Sequence, residues 1–231
     1  MSSGPGRGNW TIKHGRFLLP EEKPMSDIVQ GSDEWRRLRM GKVTGSRIAD
    51  VMSKGKGGAE SAGRRNYRTQ LALELISEEP ARDTFSNGHM QRGNELEPMA
   101  RTAYEFVAGV DVAQICFVDH AEIERYGVSP DGLVGKDGLI QIKCPIPGIH
   151  IEYLLGEAVP TDYIKQMQAE MDCTGRQWND FVSYCPEVPV SLQLFICRLH
   201  RDEKLIWEIR ESVTLFNSDV DILAEKLRLR M

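Results

Sequence analysis

Asp131 sits in the run Ser129-Pro-Asp-Gly-Leu133, and ten residues later Gln141 and Lys143 stand two apart in Leu139-Ile-Gln-Ile-Lys143. Strand side chains alternate, so Gln141 and Lys143 share a face. Such a set suits the hydrolysis of a phosphodiester. That reaction needs a nucleophilic water, neutralised phosphate charge and help for the leaving oxygen, and divalent ions held by carboxylates supply all three. Magnesium prefers oxygen ligands and takes only one or two carboxylates from a protein. Asp131 is then the natural bridging ligand, position 141 a second oxygen donor from the same face, and the Ile142 main-chain carbonyl a further one. Lys143 reaches the same site to orient the water or stabilise developing charge. A plain turn at Asp131-Gly132 and an exposed strand lysine would explain each residue singly, but not the spaced set. Glutamine at 141 stands where this chemistry expects a second acid.

A second source of acids is Gly93-Asn-Glu-Leu-Glu97, early in a long helical stretch. Two residues apart, Glu95 and Glu97 cannot share a helix face. One can complement the helix dipole while the other reaches a metal at the sheet edge.

The elements that must position these residues can be read from pattern. Ser32 is a helix N-cap followed by Asp33 and Glu34, and Gly41 is placed to stop that helix. Further helices are expected over Ser46–Met52, Arg64–Ser77, Gly88–Val107, Thr161–Cys173 (with Thr161 as cap) and Asp202 to the C-terminus. Lys54–Gly63, with four glycines, reads as a mobile loop. Strands are expected at Ile115–Val118, Tyr126–Ser129, Leu139–Lys143, Phe181–Tyr184 and Leu192–Cys197. The order implies an α/β domain over residues 27–231, with a central mixed sheet flanked by helices. A Gly-, Pro- and Ser-rich arm over residues 1–26 is expected to be flexible.

Composition sets outer bounds. The chain has 231 residues, 41% hydrophobic and 27% charged, which is ordinary for a globular domain. No apolar run approaches the roughly 20 residues of a membrane span. Cys116, Cys144, Cys173, Cys185 and Cys197 are scattered and odd in number, which suggests reduced thiols in a cytosolic protein. The net charge is −5, yet Ser32–Arg68 carries ten basic and four acidic residues, a local +6. One basic face on an acidic chain can meet nucleic acid.

Several of these motifs, taken together, resemble a known family. Gln30-Gly-Ser-Asp-Glu-Trp-Arg-Arg-Leu-Arg-Met-Gly-Lys-Val-Thr-Gly-Ser46 is similar to the opening motif of phage lambda exonuclease and its YqaJ-type viral recombination relatives. Ser129-Pro-Asp-Gly-Leu133, Ile142-Lys-Cys-Pro145 and Tyr163-Ile-Lys-Gln-Met-Gln168 match the same family, and Gly93-x-x-x-Glu97 matches the glycine-to-glutamate helix motif of RecB-like nucleases. The resemblance spans about residues 28 to 174. It implies a restriction-endonuclease-like core and a homotrimeric ring around double-stranded DNA. The implied activity is processive, magnesium-dependent 5′→3′ digestion with two ions, for which manganese could substitute. Asp131, position 141, the Ile142 carbonyl and Glu97 would serve the metals, with Lys143 assisting the water and Gln166 near the centre. Arg39 and Ser46 would bind the 5′-terminal phosphate. The setting would be phage or prophage recombination in the host cytoplasm, leaving 3′ tails for a single-strand annealing protein.

The family has glutamate where this chain has Gln141. An amide is nearly isosteric with a carboxylate but uncharged, and only one of its ends can ligate a cation. The fold should survive and catalysis should suffer. A deliberate substitution that holds intact DNA is the preferred origin, because every other motif residue is present. Divergence to a non-catalytic DNA-end-binding protein is the competing one, and an endonuclease on the same core is a further alternative.

Overall fold

The computed structural model describes residues 28–81 and 88–231, together with the backbone of two short antiparallel strands, β1 (Ile12–Lys13) and β2 (Arg16–Phe17). The rest of the arm expected over residues 1–26 lies outside the described residues.

Local chemistry explains how the first helices start and stop. α1 (Asp33–Arg39) begins at Ser32, whose hydroxyl accepts the Trp35 N–H at 3.1 Å. The chain turns at Gly41, where φ is +68° and a side chain would strike Leu75. The Gly41 N–H is donated to the buried Glu74 carboxylate at 2.7 Å. β3 (Val43–Thr44) leads into a tight turn at Gly45–Arg47 and then α2 (Ile48–Met52), so the single helix expected from Ser46 is two pieces. α3 (Ala62–Ser77) starts before Arg64, because the Ser61 hydroxyl accepts the Arg64 N–H and caps the helix earlier. The glycine-rich stretch before it is pinned by a bridge between Lys54 and Glu60.

α4 (Gly88–Ala108) is followed by β4 (Val112–Ala113), β5 (Val118–Asp119), β6 (Tyr126–Val128), β7 (Gly132–Val134) and β8 (Gly138–Lys143). Sequence pattern placed a strand at Ile115–Val118, but pairing begins only at Val118, where β5 meets β6 antiparallel. β7 hides behind the turn-like Pro-Asp-Gly and is too short to show alternation, yet it forms the hairpin with β8. α5 (Pro147–Gly156) was not expected. Pro147, read as a strand breaker, is also a favoured first residue of a helix. α6 (Thr161–Thr174) has Pro160 at its N-cap rather than Thr161. β9 (Trp178–Tyr184), β10 (Leu194–His200) and α7 (Glu203–Arg228) complete the fold, with the Asp202 carboxylate accepting the Lys204 and Leu205 N–H groups.

The central sheet runs β10-β9-β8-β7-β4, with β8 and β9 parallel and the other neighbours antiparallel. The architecture is mixed α/β with helices on both faces. Alternation along β8 sorts its side chains. Ile140 and Ile142 pack with Ala100 and Tyr104 of α4. The odd-numbered positions turn the other way, toward the face where Phe181 of β9 packs with Met167 of α6. A smaller sheet, β3-β6-β5, joins α2, α3 and α7 in a second core that includes Tyr67, Tyr126, Phe216 and Ala169 of α6. α6 therefore lies between two cores, and its position is over-determined.

One ionic cluster reinforces that position. The Asp172 carboxylate is fully enclosed on α6 and accepts from Arg210 of α7 at 2.7 Å, with His120 Nε2 at 3.3 Å and Arg201 at 3.6 Å. Burial lowers the His120 pKa, against the pull of Asp172. Among the described residues no helix is long and apolar enough to cross a membrane, and none of the five cysteines is paired. Removing Asp172 takes away the buried carboxylate that Arg210, Arg201 and His120 share. Asp172→Ala is expected to lower unfolding stability by about 3 kcal/mol, measured by urea denaturation.

Candidate active site

Asp131 leaves β6 and enters β7, so it meets β8 at the start of the hairpin. Its Oδ2 accepts the Ile142 main-chain N–H at 2.7 Å. The same oxygen accepts a hydrogen bond from Gln141 Nε2. Gln141 is 2% exposed and lies on the β8 face that looks at α6. Its other end is held from α6, where Gln166 Nε2 donates to Gln141 Oε1. Gln166 Nε2 also donates to Glu170 Oε1, one helical turn on, at 2.9 Å. Glu170 is 1% exposed, and its second oxygen accepts from Asn179 Nδ2 of β9 at 2.8 Å. A continuous hydrogen-bonded line thus runs Asp131–Gln141–Gln166–Glu170–Asn179 across three elements.

Glu97 joins from α4. Arg101, one turn along, donates to Glu97 Oε1 and, at 3.2 Å, to the Asp131 carbonyl. Glu95 is exposed and is held by Gln91 instead. The structure therefore brings Glu97, not Glu95, to Asp131. The Lys143 ammonium lies 5.1 Å from the centre of the Tyr163 ring, on the same side of the sheet as Gln141.

The electrostatics fit a cluster of acids short of positive charge. Burial pushes the Asp131 pKa up to about 6, with Lys143 pulling it down and Glu97 adding to the rise. Burial raises Glu170 to about 8, with the Asp131 charge adding to the rise and the two amide donors opposing it. Among the described residues no three His, Cys, Asp or Glu side chains form a metal cage. Glutamine at 141 withholds one carboxylate from the set. What remains is two carboxylates, a side-chain amide and a strand backbone beside an under-neutralised acid, which suits a hard cation with few protein ligands.

Arg39 of α1 and Ser46 of the Gly45–Arg47 turn lie beside this centre. The Arg39 guanidinium stacks on Trp35 at 3.9 Å, and its Nη1 reaches Ser129 Oγ at 3.4 Å, two residues before Asp131. Trp35 Nε1 donates to the same oxygen at 3.0 Å. Ser46 is exposed on the Gly45–Arg47 turn, and a Cβ on Gly45 would come within 3.8 Å of the Gln166 side chain. Tyr67 holds this turn, accepting the Thr44 N–H at 3.1 Å and lying 4.1 Å beneath Arg47. Much of the basic block serves the fold: Arg36, Lys42, Arg47, Arg64 and Arg68 all form ion pairs.

Sequence reasoning missed Arg101, Trp35, Asn179 and Glu170 as parts of this centre. The spacings Glu97–Arg101 and Gln166–Glu170 are both four residues, and each could have pointed to its partner.

A model of the YqaJ-like viral recombinase domain matches residues 34–177. An alkaline exonuclease, LHK-Exo from Laribacter hongkongensis, is 43% identical, with a TM-score of 0.79 over 86% of this chain and 97% of its own. LHK-Exo in complex with dAMP gives 44% identity, a TM-score of 0.80 and the same coverage. A phage-related exonuclease from Haemophilus somnus 129PT shares the fold, with a TM-score of 0.67 at 19% identity over 83% of this chain and 99% of that one. No curated protein sequence matches.

The raised Glu170 pKa carries a sign. Its folded value lies above its unfolded one, so its stabilising share is whole below about 4.5 and is lost as pH rises through about 8. Glu170→Gln removes that ionisation. Thermal melts from pH 5 to pH 8 should show the variant gaining stability relative to the unaltered chain as pH rises. Parallel curves would mean that Glu170 ionises without cost.

Proposed function

Because this chain belongs to the YqaJ-like viral recombinase domain family, we propose that it is a DNA exonuclease of recombination whose catalytic centre is held back by Gln141. The observation that carries this reading is the convergence of Asp131, Gln141, Lys143, Glu97 and Gln166 at one end of β8, with Arg39 and Ser46 beside it. The substrate is the end of double-stranded DNA. The polarity is 5′→3′, leaving 3′ single-stranded tails for a single-strand annealing protein. A homotrimeric ring around the duplex is part of the same proposal, as is a bacterial cytoplasm as the working compartment.

Asp131, Glu97, the Ile142 carbonyl and the side chain at 141 would hold magnesium, with manganese a possible substitute. Two ions are proposed for the active form. Bound there, a divalent cation supplies charge neutralisation on the phosphate and a more acidic water. The chain's own groups do the rest. Arg39 meets the 5′-terminal phosphate with a planar fork of donors, and its stacking on Trp35 keeps that fork oriented. Ser46 adds a hydroxyl to the same phosphate. A pocket for the terminal phosphate would also draw the strand forward after each cut. Lys143 places its ammonium where negative charge develops. Gln166 holds the side chain at 141 against α6.

Gln141 sets the limit on this copy. In the family pattern a carboxylate at 141 shares the cation with Asp131. Here Nε2 already donates to Asp131, so the amide itself relieves part of that acid's need for positive charge. The same hydrogen bond favours a second reading, a DNA-end-binding protein that does not cut. An endonuclease on this core would differ by cutting closed circles.

Digestion of 5′-phosphorylated linear duplex in magnesium separates these readings. Gln141→Glu is expected to raise the rate by at least about 100-fold, with closed-circular DNA left intact. Equal rates for the two proteins would remove position 141 from the metal site. Tight end binding with no cutting by either protein would establish the non-catalytic reading.

A further inference from the structure

Gln166 has a place in the proposed reaction and Glu170 has none, although Glu170 is among the most enclosed acids of the described residues. It makes no ion pair among the described residues, and its two partners are both amide N–H groups. Buried carboxylates without a cationic partner are costly and call for a reason. The connectivity of the hydrogen-bonded line supplies one.

A primary amide has two N–H donors at one end and an acceptor oxygen at the other. Gln166 spends its nitrogen twice, once on Glu170 Oε1 and once on Gln141 Oε1. An acceptor at 170 therefore dictates which end of the Gln166 amide faces inward. That end presents N–H to Gln141, so Gln141 must offer its oxygen to α6 and its nitrogen to Asp131. We infer that Glu170 is a positioning residue that sets the direction of this relay, and that in the present chain it locks the Gln141 amide with its nitrogen, not its oxygen, toward the cation site.

The lock does not depend on the charge of Glu170. When the acid is protonated, Oε1 still accepts from Gln166, and the proton on Oε2 has an acceptor in reach if Asn179 turns its amide, because Asn179 Oδ1 is buried without a partner. The consequence has opposite signs in two backgrounds. With glutamine at 141, an acceptor at 170 keeps the ligating oxygen away from Asp131. With glutamate at 141, the same Gln166 N–H would hold one carboxylate oxygen and leave the other for the cation.

The inference rests on the assignment of Asp131 and position 141 to a cation site, and the test separates the two. Manganese binding is followed by the electron paramagnetic resonance signal of the free ion, and Asp131→Asn defines the component due to this site. In the otherwise unaltered chain, Glu170→Met should strengthen that component about ten-fold, the low end of the change expected when a supporting partner of a ligand is altered. Glu170→Gln, which keeps an acceptor for Gln166, should leave it within about two-fold. If Glu170→Met does not fold, Gln166→Leu removes the same constraint from the other side and should strengthen binding likewise. In the Gln141→Glu background, Glu170→Met should instead weaken manganese binding. Should Gln141→Glu bind manganese no better than Asp131→Asn, the cation site itself is wrong. If Gln141→Glu binds well but the folded relay variants leave the unaltered chain's affinity where it was, the site stands and the positioning role falls.

Discussion

The hydrogen bond from the Gln141 amide to the Asp131 carboxylate is the interaction on which the rest of the centre turns. Asp131 is partly buried, close to Glu97 and raised in pKa, so positive character beside it is favoured. In this chain an amide N–H supplies it. A carboxylate at 141 adds negative charge instead, so the two acids repel unless a cation or a shared proton lies between them. The chemical state of the site therefore follows from one side chain, and the remaining partners follow from how that side chain is oriented.

The fold makes that orientation unambiguous. Alternation on β8 sends Ile140 and Ile142 into the core under α4 and leaves Gln141 facing α6. α6 cannot drift, because Met167 packs in one core, Ala169 in another, and Asp172 is tied to α7. Gln166 and Glu170 fall on one helix face, four residues apart, and meet β8 and β9 together. On the far side, Trp35 and Arg39 grip Ser129, so the α1 helix and the Asp131 turn are coupled through a single hydroxyl. A phosphate held at Arg39 would thus be placed relative to Asp131 by contacts already in the protein.

Much of this was legible in the sequence, and the failures have physical causes. The acid turn, the strand with Gln141 and Lys143, and the helix bearing Glu97 carry strong local signals, and the structure brings them together. Ser32 was readable as a cap because its side chain serves a nearby backbone N–H group. β7 and α5 were missed because three residues show no period and because Pro147 signals both a strand end and a helix start. The basic block overstated the positive surface, because several of its charges are spent on ion pairs with acids distant in sequence, such as Asp119 and Asp219. Glu170 escaped notice because its four-residue spacing from Gln166 shows a shared helix face but does not mark the carboxylate as buried. Only the tertiary meeting of α6 with β8 and β9 gives it a function.

The central claim is that position 141 and Asp131 share one cation site whose occupancy depends on the residue at 141. Anomalous scattering from crystals of the Gln141→Glu protein, grown with a blunt duplex end and manganese, tests it most directly. The account predicts a manganese peak in contact with Asp131, the new carboxylate and the Ile142 carbonyl, and a weaker or absent peak in the unaltered chain under the same conditions. A peak of equal strength in both proteins, or one that does not touch position 141, would contradict it.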